Sequence, residues 1–176
     1  MFSVLSKLKR TVLGDIGCYT LGAVPPLGSM DAVVCMGASI GMTIGFDKAD
    51  PEAHKHSVAV IGDSTFIHSG ITGLIDAVYN KAKITVIILD NRTTGMTGHQ
   101  NHPATGKTIK NEPTYELDLA EVCRAVGVQS VRTVNPNDLA ETERAVKEAL
   151  AEEAVSVIIA KKPCVLLTKR LYNGFK

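Results

Sequence analysis

Two apolar, strand-like stretches of this chain end in polar residues that could share one ligand. VAVIGDSTF runs into Asp63, and ITVIILDNR runs into Asn91. Carboxylate and amide oxygens are hard ligands suited to Mg²⁺ or Ca²⁺. A Mg²⁺ site normally adds water, backbone carbonyls and phosphates to a few such side chains. The small residues Gly62, Ser64 and Thr65 would let backbone N–H groups approach a phosphate. The pair therefore predicts a metal-bridged phosphate site.

Bringing Asp63 and Asn91 together requires neighbouring parallel strands. Apolar runs rich in Val and Ile, typical of strands buried on both faces, lie at 57–61, 84–89 and 155–160. Weaker strand candidates lie at 11–17 and 128–134. Ligands of open α/β sheets bind beyond the carboxyl ends of the strands. We therefore expect both side chains in one crevice at that edge.

Helical patterns alternate with these strands and cover 37–46, 69–82, 117–127 and 135–153. Gly127 is placed as a C-terminal stop, and Asn137 or Asp138 as an N-cap. The alternation predicts an α/β fold with three α/β/α layers around a mostly parallel sheet, as a single domain over 1–176. The segment 92–115 is polar and aperiodic, and so long a loop is usually functional or disordered.

Composition narrows the classes of function. The chain has 176 residues, a formal net charge of +1 and no Trp, which argues against a nucleic-acid or membrane-surface role. Its four cysteines include no C-x-x-C pair, so a zinc ribbon or iron–sulfur cluster is not expected here. Four cysteines scattered through an α/β protein predict a reduced, cytoplasmic environment. Cys35 and Cys123 are expected to be buried. No apolar run reaches the roughly 20 residues of a transmembrane helix.

The interval between the two polar clusters resembles a cofactor signature. The GDS stretch that contains Asp63 is followed by 26 residues and then by Asn91. This is similar to thiamine diphosphate enzymes, in which GDG precedes a pair of Asn residues by such an interval. The resemblance implies that Asp63, Asn91 and the Thr93 carbonyl hold Mg²⁺ against the cofactor diphosphate. Ser64 replaces the last Gly of that motif, and Asp90 replaces the first Asn and is not assigned as a ligand.

An upstream segment resembles the same family. CMGASIGMTIGF is similar to the stretch in which a bulky apolar residue bends the cofactor, and Met36 matches that residue, followed by Gly37. Gly37, Gly41 and Gly45 share one helix face at i, i+4 and i+8. Such a stripe permits close approach to a sheet or cofactor, and plain helix packing explains Gly41 and Gly45 equally well.

More specifically, three stretches resemble the large subunit of indolepyruvate:ferredoxin oxidoreductases: GDIGCYTLG, CMGASIG and DNRTTGMTGHQNHP, within roughly 4–168. That family oxidatively decarboxylates arylpyruvates to acyl-CoA and passes electrons to ferredoxin, with thiamine diphosphate as electron sink. Gly95 and Thr97 would close the loop over the diphosphate, and Cys18 would lie near the thiazolium. The implied cofactor site comprises Cys18, Met36, Gly37, Gly62, Asp63, Ser64, Thr65, Asn91, Gly95 and Thr97.

Two parts of such an enzyme have no counterpart in this sequence. The Glu that protonates the aminopyrimidine belongs to a separate pyrimidine-binding domain. The large subunit normally continues into a ferredoxin-like domain with a cysteine motif, whereas Cys164 stands alone here. We therefore expect a fragment or split subunit that needs a pyrimidine-binding partner or oligomerisation, and that has no turnover by itself.

Two residues are candidates for a catalytic role, Cys18 and His99. His102, on the same loop as His99, is expected to make loop hydrogen bonds, with a substrate or acid–base role as the alternative. His54 and His56 lie in the polar stretch DPEAHKH and are expected to be solvated.

Two other functions compete with the oxidoreductase. The first is one half of a non-oxidative thiamine-dependent 2-oxoacid decarboxylase, against which GDIGCYTLG favours the oxidoreductase. The second is a receiver or flavodoxin-like binding module with Asp63 as phospho-acceptor or metal site. That module explains an acidic strand end, but it explains neither the 26-residue interval nor the Met36 segment.

Overall fold

The computed structural model describes residues 1–167, and its centre is a sheet of six parallel strands. The strands are β1 Thr11–Gly14, β2 Ala32–Val33, β3 Ser57–Gly62, β4 Thr85–Asp90, β5 Ser130–Val134 and β6 Ser156–Lys161. Their order is β2-β1-β3-β4-β6-β5. Gly62 of β3 is in register with Leu89 of β4, so the carboxyl ends of these neighbours lie side by side. The end of the expected domain, 168–176, lies outside the described residues.

Helices cover both faces of the sheet. They are α1 Phe2–Lys7, α2 Ala38–Ala49, α3 Asp63–Thr65, α4 Ile71–Tyr79, α5 Leu119–Ala125 and α6 Leu139–Leu150. A π-helical segment, Phe66–Gly70, joins α3 to α4. Short 3₁₀ helices lie at Cys18–Ala23, Ala53–Lys55 and Pro103–Thr105. One face packs on α2, α4 and α5 and the other on α1 and α6, which confirms the three-layer α/β/α prediction.

The apolar runs form strands because both of their faces are buried. All six residues of β3 are buried. Ala59 and Ile61 pack in one core with Ile40 and Leu74, whereas Val58 and Val60 belong to the core on the opposite face. A strand covered on both sides gains nothing from alternating polar residues, so the periodicity of a half-exposed strand is lost.

Several helix ends follow the sequence signals. Asp138 caps α6, and its Oδ1 accepts the Glu141 N–H at 2.9 Å. Gly127 follows α5 with φ of 102°, a backbone conformation that glycine adopts without strain. Helical structure after β3 begins at Asp63 rather than at residue 69, because Gly62 is extended and the strand turns into the helix without a loop. Asp, Ser and Thr suit a first turn but weaken a helical pattern read from sequence.

Other expectations were wrong. Cys35 is exposed, because it follows β2 in the turn before α2. His54 is buried, since the 3₁₀ turn Ala53–Lys55 folds it under the chain, where its Nδ1 lies 2.9 Å from the Pro51 carbonyl oxygen. Cys123 is buried as expected, and burial raises the pKa of its thiol to about 12. The helix α1 and the strand β2 had no sequence signal.

The polar segment 92–115 is held by its own hydrogen bonds. Thr94 and Gln100 form an antiparallel bridge, and a second bridge joins Lys107 to Pro113. Between them, the Asn101 amide donates to the carbonyl oxygen of Thr108 at 3.0 Å. The segment therefore has a defined path beside the carboxyl edge of the sheet, as expected of a functional loop.

Candidate functional site

Asp63 lies at the carboxyl end of β3 and is 2% exposed. Its Oδ1 accepts the Ser64 N–H at 2.8 Å, and its Oδ2 accepts the Arg92 N–H at 2.9 Å. Arg92 follows β4 and has φ of 63°, an uncommon left-handed conformation for a residue other than Gly. Asn91 lies between Arg92 and β4, so the two predicted polar residues follow adjacent strand ends.

A second carboxyl group, that of Asp90, lies beside Asp63. Asp90 ends β4, is 3% exposed, and accepts the Arg92 N–H at 3.2 Å. Burial, and then the negative charge of Asp63, raise its pKa above the usual value of 3.8. A bound cation would relieve the repulsion between the two carboxyl groups.

The loop after β4 folds back onto this edge. The Asn91 Oδ1 accepts the Thr93 N–H at 3.0 Å, and the Thr94 hydroxyl donates to the Ser64 hydroxyl at 2.8 Å. Thr93 is 3% exposed, and its hydroxyl has no hydrogen-bond partner among the described residues. Ser64 is therefore tied to the loop, and a buried hydroxyl beside Asn91 is left for a ligand.

The 3₁₀ helix Cys18–Ala23 forms another wall of the site. A β-carbon built on Gly95 would lie 3.2 Å from Cys18 Sγ and 4.0 Å from the Asn91 side-chain nitrogen. The Tyr19 hydroxyl accepts the Gly62 N–H at 3.0 Å and donates to the Ile16 carbonyl at 3.2 Å. Burial raises the pKa of the Tyr19 phenol well above its usual value, so the group stays neutral.

A cavity of about 370 Å³ lies beside Cys18 and Asn91. Apolar side chains, including Leu21, Leu27 and Leu89, form much of its lining. Asp90, Asn91 and Lys162 also line the cavity, so a largely apolar space borders the polar strand ends.

Asp15 organises the Met36 segment, and the sequence reading missed it. Its carboxylate is fully buried and accepts hydrogen bonds from the Ile16 N–H, the Gly37 N–H and the Ser39 hydroxyl at 2.8–3.2 Å. Gly37 has φ of 90°, and a β-carbon there would collide with the Ser69 hydroxyl. Met36, one residue earlier, is 51% exposed. An Asp directly after a strand was the available signal.

Other expected residues lie farther from this cluster. The Thr97 hydroxyl donates to the Gln100 side chain at 2.7 Å, within an exposed turn. The His99 N–H donates to the Thr94 carbonyl at 3.0 Å in the same turn. A β-carbon built on Gly41 or Gly45 would meet nothing within 4 Å, so both positions on α2 face open space. The turn is thus held by its own hydrogen bonds, and Gly41 and Gly45 are exposed on the outer side of α2.

His102 makes the expected loop hydrogen bonds, to Ala104 and Thr105, and also lies beside Asp63, which the sequence did not predict. It is 7% exposed, and its Nε2 lies 3.2 Å from the Asp63 Oδ2. This nitrogen has no aligned hydrogen-bond partner among residues 1–167. The sequence around His102 and Pro103 does not indicate this proximity, because only the path of the loop brings the ring to Asp63.

The donor set fits a hard cation that brings further ligands. Two buried carboxyl groups, an amide and unpartnered buried polar atoms converge at one edge. No cluster of three or more His, Cys, Asp or Glu residues able to hold a metal occurs within the described part. A site of this kind relies on ligands from outside the chain, such as phosphate oxygens, as Mg²⁺ sites usually do.

Comparison with protein families gives one domain match. Residues 15–160 match the thiamine pyrophosphate enzyme C-terminal TPP binding domain. The matched range contains the site described above, from Asp15 to the end of the loop after β4.

Curated relatives agree with the resemblance seen in the sequence. Indolepyruvate oxidoreductase subunit IorA of Methanothermobacter thermautotrophicus is 47% identical over 86% of this chain and 24% of the relative. IorA of Archaeoglobus fulgidus is 45% identical over 89% of this chain and 25% of its own length. The resemblance is thus confirmed, and the chain spans about a quarter of these relatives.

Solved structures agree with the fold. A 2-oxoglutarate:ferredoxin oxidoreductase from Magnetococcus marinus superimposes with a TM-score of 0.76 and 16% identity, over 93% of this chain and 61% of that one. Benzoylformate decarboxylase from Polynucleobacter necessarius gives 0.62 and 19%, over 93% and 34%. Among residues 1–167, no helix is both long and apolar enough to span a membrane.

Proposed function

The chain belongs to the thiamine pyrophosphate enzymes, as a C-terminal TPP binding domain, and from this premise we propose that it holds Mg²⁺ and the diphosphate of thiamine diphosphate in an arylpyruvate:ferredoxin oxidoreductase. The observation that carries the proposal is that β3 and β4, which end directly before Asp63 and Asn91, are neighbours, and that the Arg92 N–H donates to Asp63 Oδ2. Relatives named indolepyruvate oxidoreductase support the reaction class.

In this proposal Asp63, Asn91 and the Thr93 carbonyl hold the metal. Two backbone N–H groups orient the Asp63 carboxylate, and the Asn91 side chain is oriented by its bond to the Thr93 N–H. Preset ligands reduce the entropy lost on binding. The hydroxyls of Ser64 and Thr94 are joined and lie next to Asp63, where they can contact diphosphate oxygens.

The remaining residues shape the space around the cofactor. When bound, thiamine diphosphate supplies a carbanion and an electron sink for decarboxylation of a 2-oxoacid. Gly95 leaves room for Cys18 beside Asn91, and Tyr19 packs over Gly62. Met36, Gly37, Thr65 and Thr97 complete the proposed cofactor contacts. Met36 is exposed in this chain, so its contact with the cofactor would form where a partner domain covers this surface.

The proposal includes components outside this chain. We propose a pyrimidine-binding domain or subunit, an oligomeric assembly, and ferredoxin and CoA as partners of the full complex. Acyl-CoA formation in the reconstituted complex would support the oxidative reaction, whereas release of an aldehyde would favour the non-oxidative decarboxylase. A cytoplasmic location belongs to the same proposal and rests on the free cysteines among the described residues.

Calorimetric titration of the chain with thiamine diphosphate, with and without Mg²⁺, tests the metal half of the site. We expect binding that requires Mg²⁺ and is abolished by Asp63→Ala. Asp47→Ala is the matched control, because Asp47 is also buried but pairs with Lys48 on α2 at 3.3 Å. Mg²⁺ with inorganic pyrophosphate serves as a second probe that needs no pyrimidine domain. Failure of both probes with the wild-type chain would refute the proposal.

A further inference from the structure

The ring of His102 is fixed by the backbone around it. His102 is the N-cap of the 3₁₀ helix Pro103–Thr105, and its Nδ1 accepts the Ala104 N–H at 3.3 Å. Its carbonyl oxygen accepts the N–H and the hydroxyl of Thr105, both at 2.8 Å. The residue is also 7% exposed. Cap, turn and burial together leave the ring little freedom to rotate.

This cap determines which ring nitrogen carries the proton. A neutral imidazole has one N–H donor and one acceptor nitrogen. Since Nδ1 accepts the Ala104 N–H, the proton of neutral His102 is on Nε2. That nitrogen lies 3.2 Å from the Asp63 Oδ2 and has no aligned hydrogen-bond partner among the described residues. A buried N–H donor therefore lies within 3.2 Å of the Asp63 carboxylate, although it is not aligned with it.

We propose that His102 is a positioning residue that holds the Asp63 carboxylate in the orientation needed to bind Mg²⁺. The inference rests on the proposed function, because Asp63 is there the metal ligand. Hydrogen bonds from outer residues to ligating carboxylates commonly fix their orientation. The Nε2–H is near enough to Asp63 Oδ2 to complete such a bond after a small shift of the carboxylate.

The histidine differs from the other donors to Asp63. The N–H groups of Ser64 and Arg92 lie within two residues of the ends of β3 and β4. His102 instead lies farther along the loop 92–115, beyond the turn that contains Gly95. Its contact therefore couples the position of the loop to the orientation of the metal ligand, so that a displaced loop would loosen Asp63.

Two substitutions separate this role from the capping role. In His102→Asn the side-chain oxygen can still accept the Ala104 N–H, because Asn is a favoured N-cap residue, but its amide is too short to reach Asp63. In His102→Gln the amide nitrogen reaches about as far as Nε2 and can donate to Asp63, whereas the cap is weakened. Asn therefore retains the cap, and Gln retains the donor.

We expect His102→Asn to lower the Mg²⁺-dependent affinity for thiamine diphosphate about 10–100-fold, the usual loss for such outer residues, without a change in Tm. His102→Gln should retain most of the affinity and lose some thermal stability. His54→Asn is the matched control, because His54 is equally buried in a 3₁₀ turn at the opposite edge of the sheet. It should bind like the wild type. Calorimetry gives the affinities, and thermal unfolding gives Tm.

The outcomes are distinct from those that test the proposed function. Wild-type affinity in His102→Asn, or equal losses in the Asn and Gln variants, would overturn the role of His102 and leave the metal site intact. A wild-type chain that binds neither probe would refute the proposed function and this inference with it. Independently of any ligand, a proton on Nδ1 in ¹H–¹⁵N spectra of neutral His102 would overturn the inference.

Discussion

The two edges of the parallel sheet differ in whether their buried polar groups have hydrogen-bond partners. At the amino edge, the first residues of three strands are satisfied: Ser57 donates to the Ala53 carbonyl at 2.7 Å, and Thr85 and Ser156 share a hydrogen bond of 3.2 Å. At the carboxyl edge, the Thr93 hydroxyl and the His102 Nε2 are buried without an aligned partner. An unsatisfied buried group costs about 1–3 kcal/mol. The amino edge thus serves folding, whereas the carboxyl edge keeps polar atoms ready for a ligand.

The two buried histidines show the same difference. The His54 Nδ1 lies 2.9 Å from the Pro51 carbonyl oxygen, in its own turn. His102 uses Nδ1 for its turn and leaves Nε2 facing Asp63. Burial of a histidine therefore does not mark a functional residue, whereas an unused ring nitrogen beside a buried carboxylate does.

The largest effect on stability is expected from substitution of Asp15, the buried carboxylate at the carboxyl edge that accepts several hydrogen bonds. Asp15→Ala should lower the free energy of unfolding by about 3 kcal/mol, because buried donors lose a charged acceptor. Urea unfolding measures the loss, with Asp47→Ala as the buried control whose partner Lys48 is at the surface. Similar losses in both variants would mean that Asp15 is an ordinary buried acid.

Two glycines near opposite ends of α2 should respond with opposite signs. Gly37→Ala should destabilise the chain by about 2 kcal/mol, because φ is 90° and the new β-carbon meets Ser69. Gly45→Ala should stabilise it by about 0.5–1 kcal/mol, because nothing lies near that position and Ala favours helix. Thermal unfolding of both variants compares them, and a stabilised Gly37→Ala would contradict the assigned geometry.

A smaller effect concerns Asp90 and pH. Because burial and the charge of Asp63 raise its pKa, the folded chain binds this proton more tightly than the unfolded chain does. Stability of the ligand-free protein should therefore fall as pH rises from about 4 through the raised pKa. Asp90→Asn should remove this fall and raise the stability at neutral pH.

Urea unfolding across pH measures the Asp90 effect, and excess Mg²⁺ with pyrophosphate should restore part of the lost stability in the wild type. An unchanged pH profile in Asp90→Asn would show that burial and the charge of Asp63 do not raise the pKa of Asp90.

The sequence predicted those parts of the molecule that follow from local pattern. Asp63 and Asn91 were found because each directly follows a buried strand, and Gly127 and Asp138 because helix ends have characteristic residues. The proximity of His102 to Asp63 was not predicted, because the distance between the two residues depends on the path of a loop without periodicity. Asp15 acts on Gly37 across 22 residues, a contact that no local pattern encodes.

The sheet order has a consequence for synthesis of the chain. The strand β6, the last of the six described strands in sequence, lies between β4 and β5, and β5 pairs with no other strand of the described sheet. During synthesis from the N-terminus, β5 stays unpaired until Ser156–Lys161 has been made. The pairing of Thr85 with Ser156 closes a loop of 71 residues. A ribosome that stalls before residue 156 would hold a chain in which β5 is unpaired and β4 has an open edge, which makes it a substrate for chaperones.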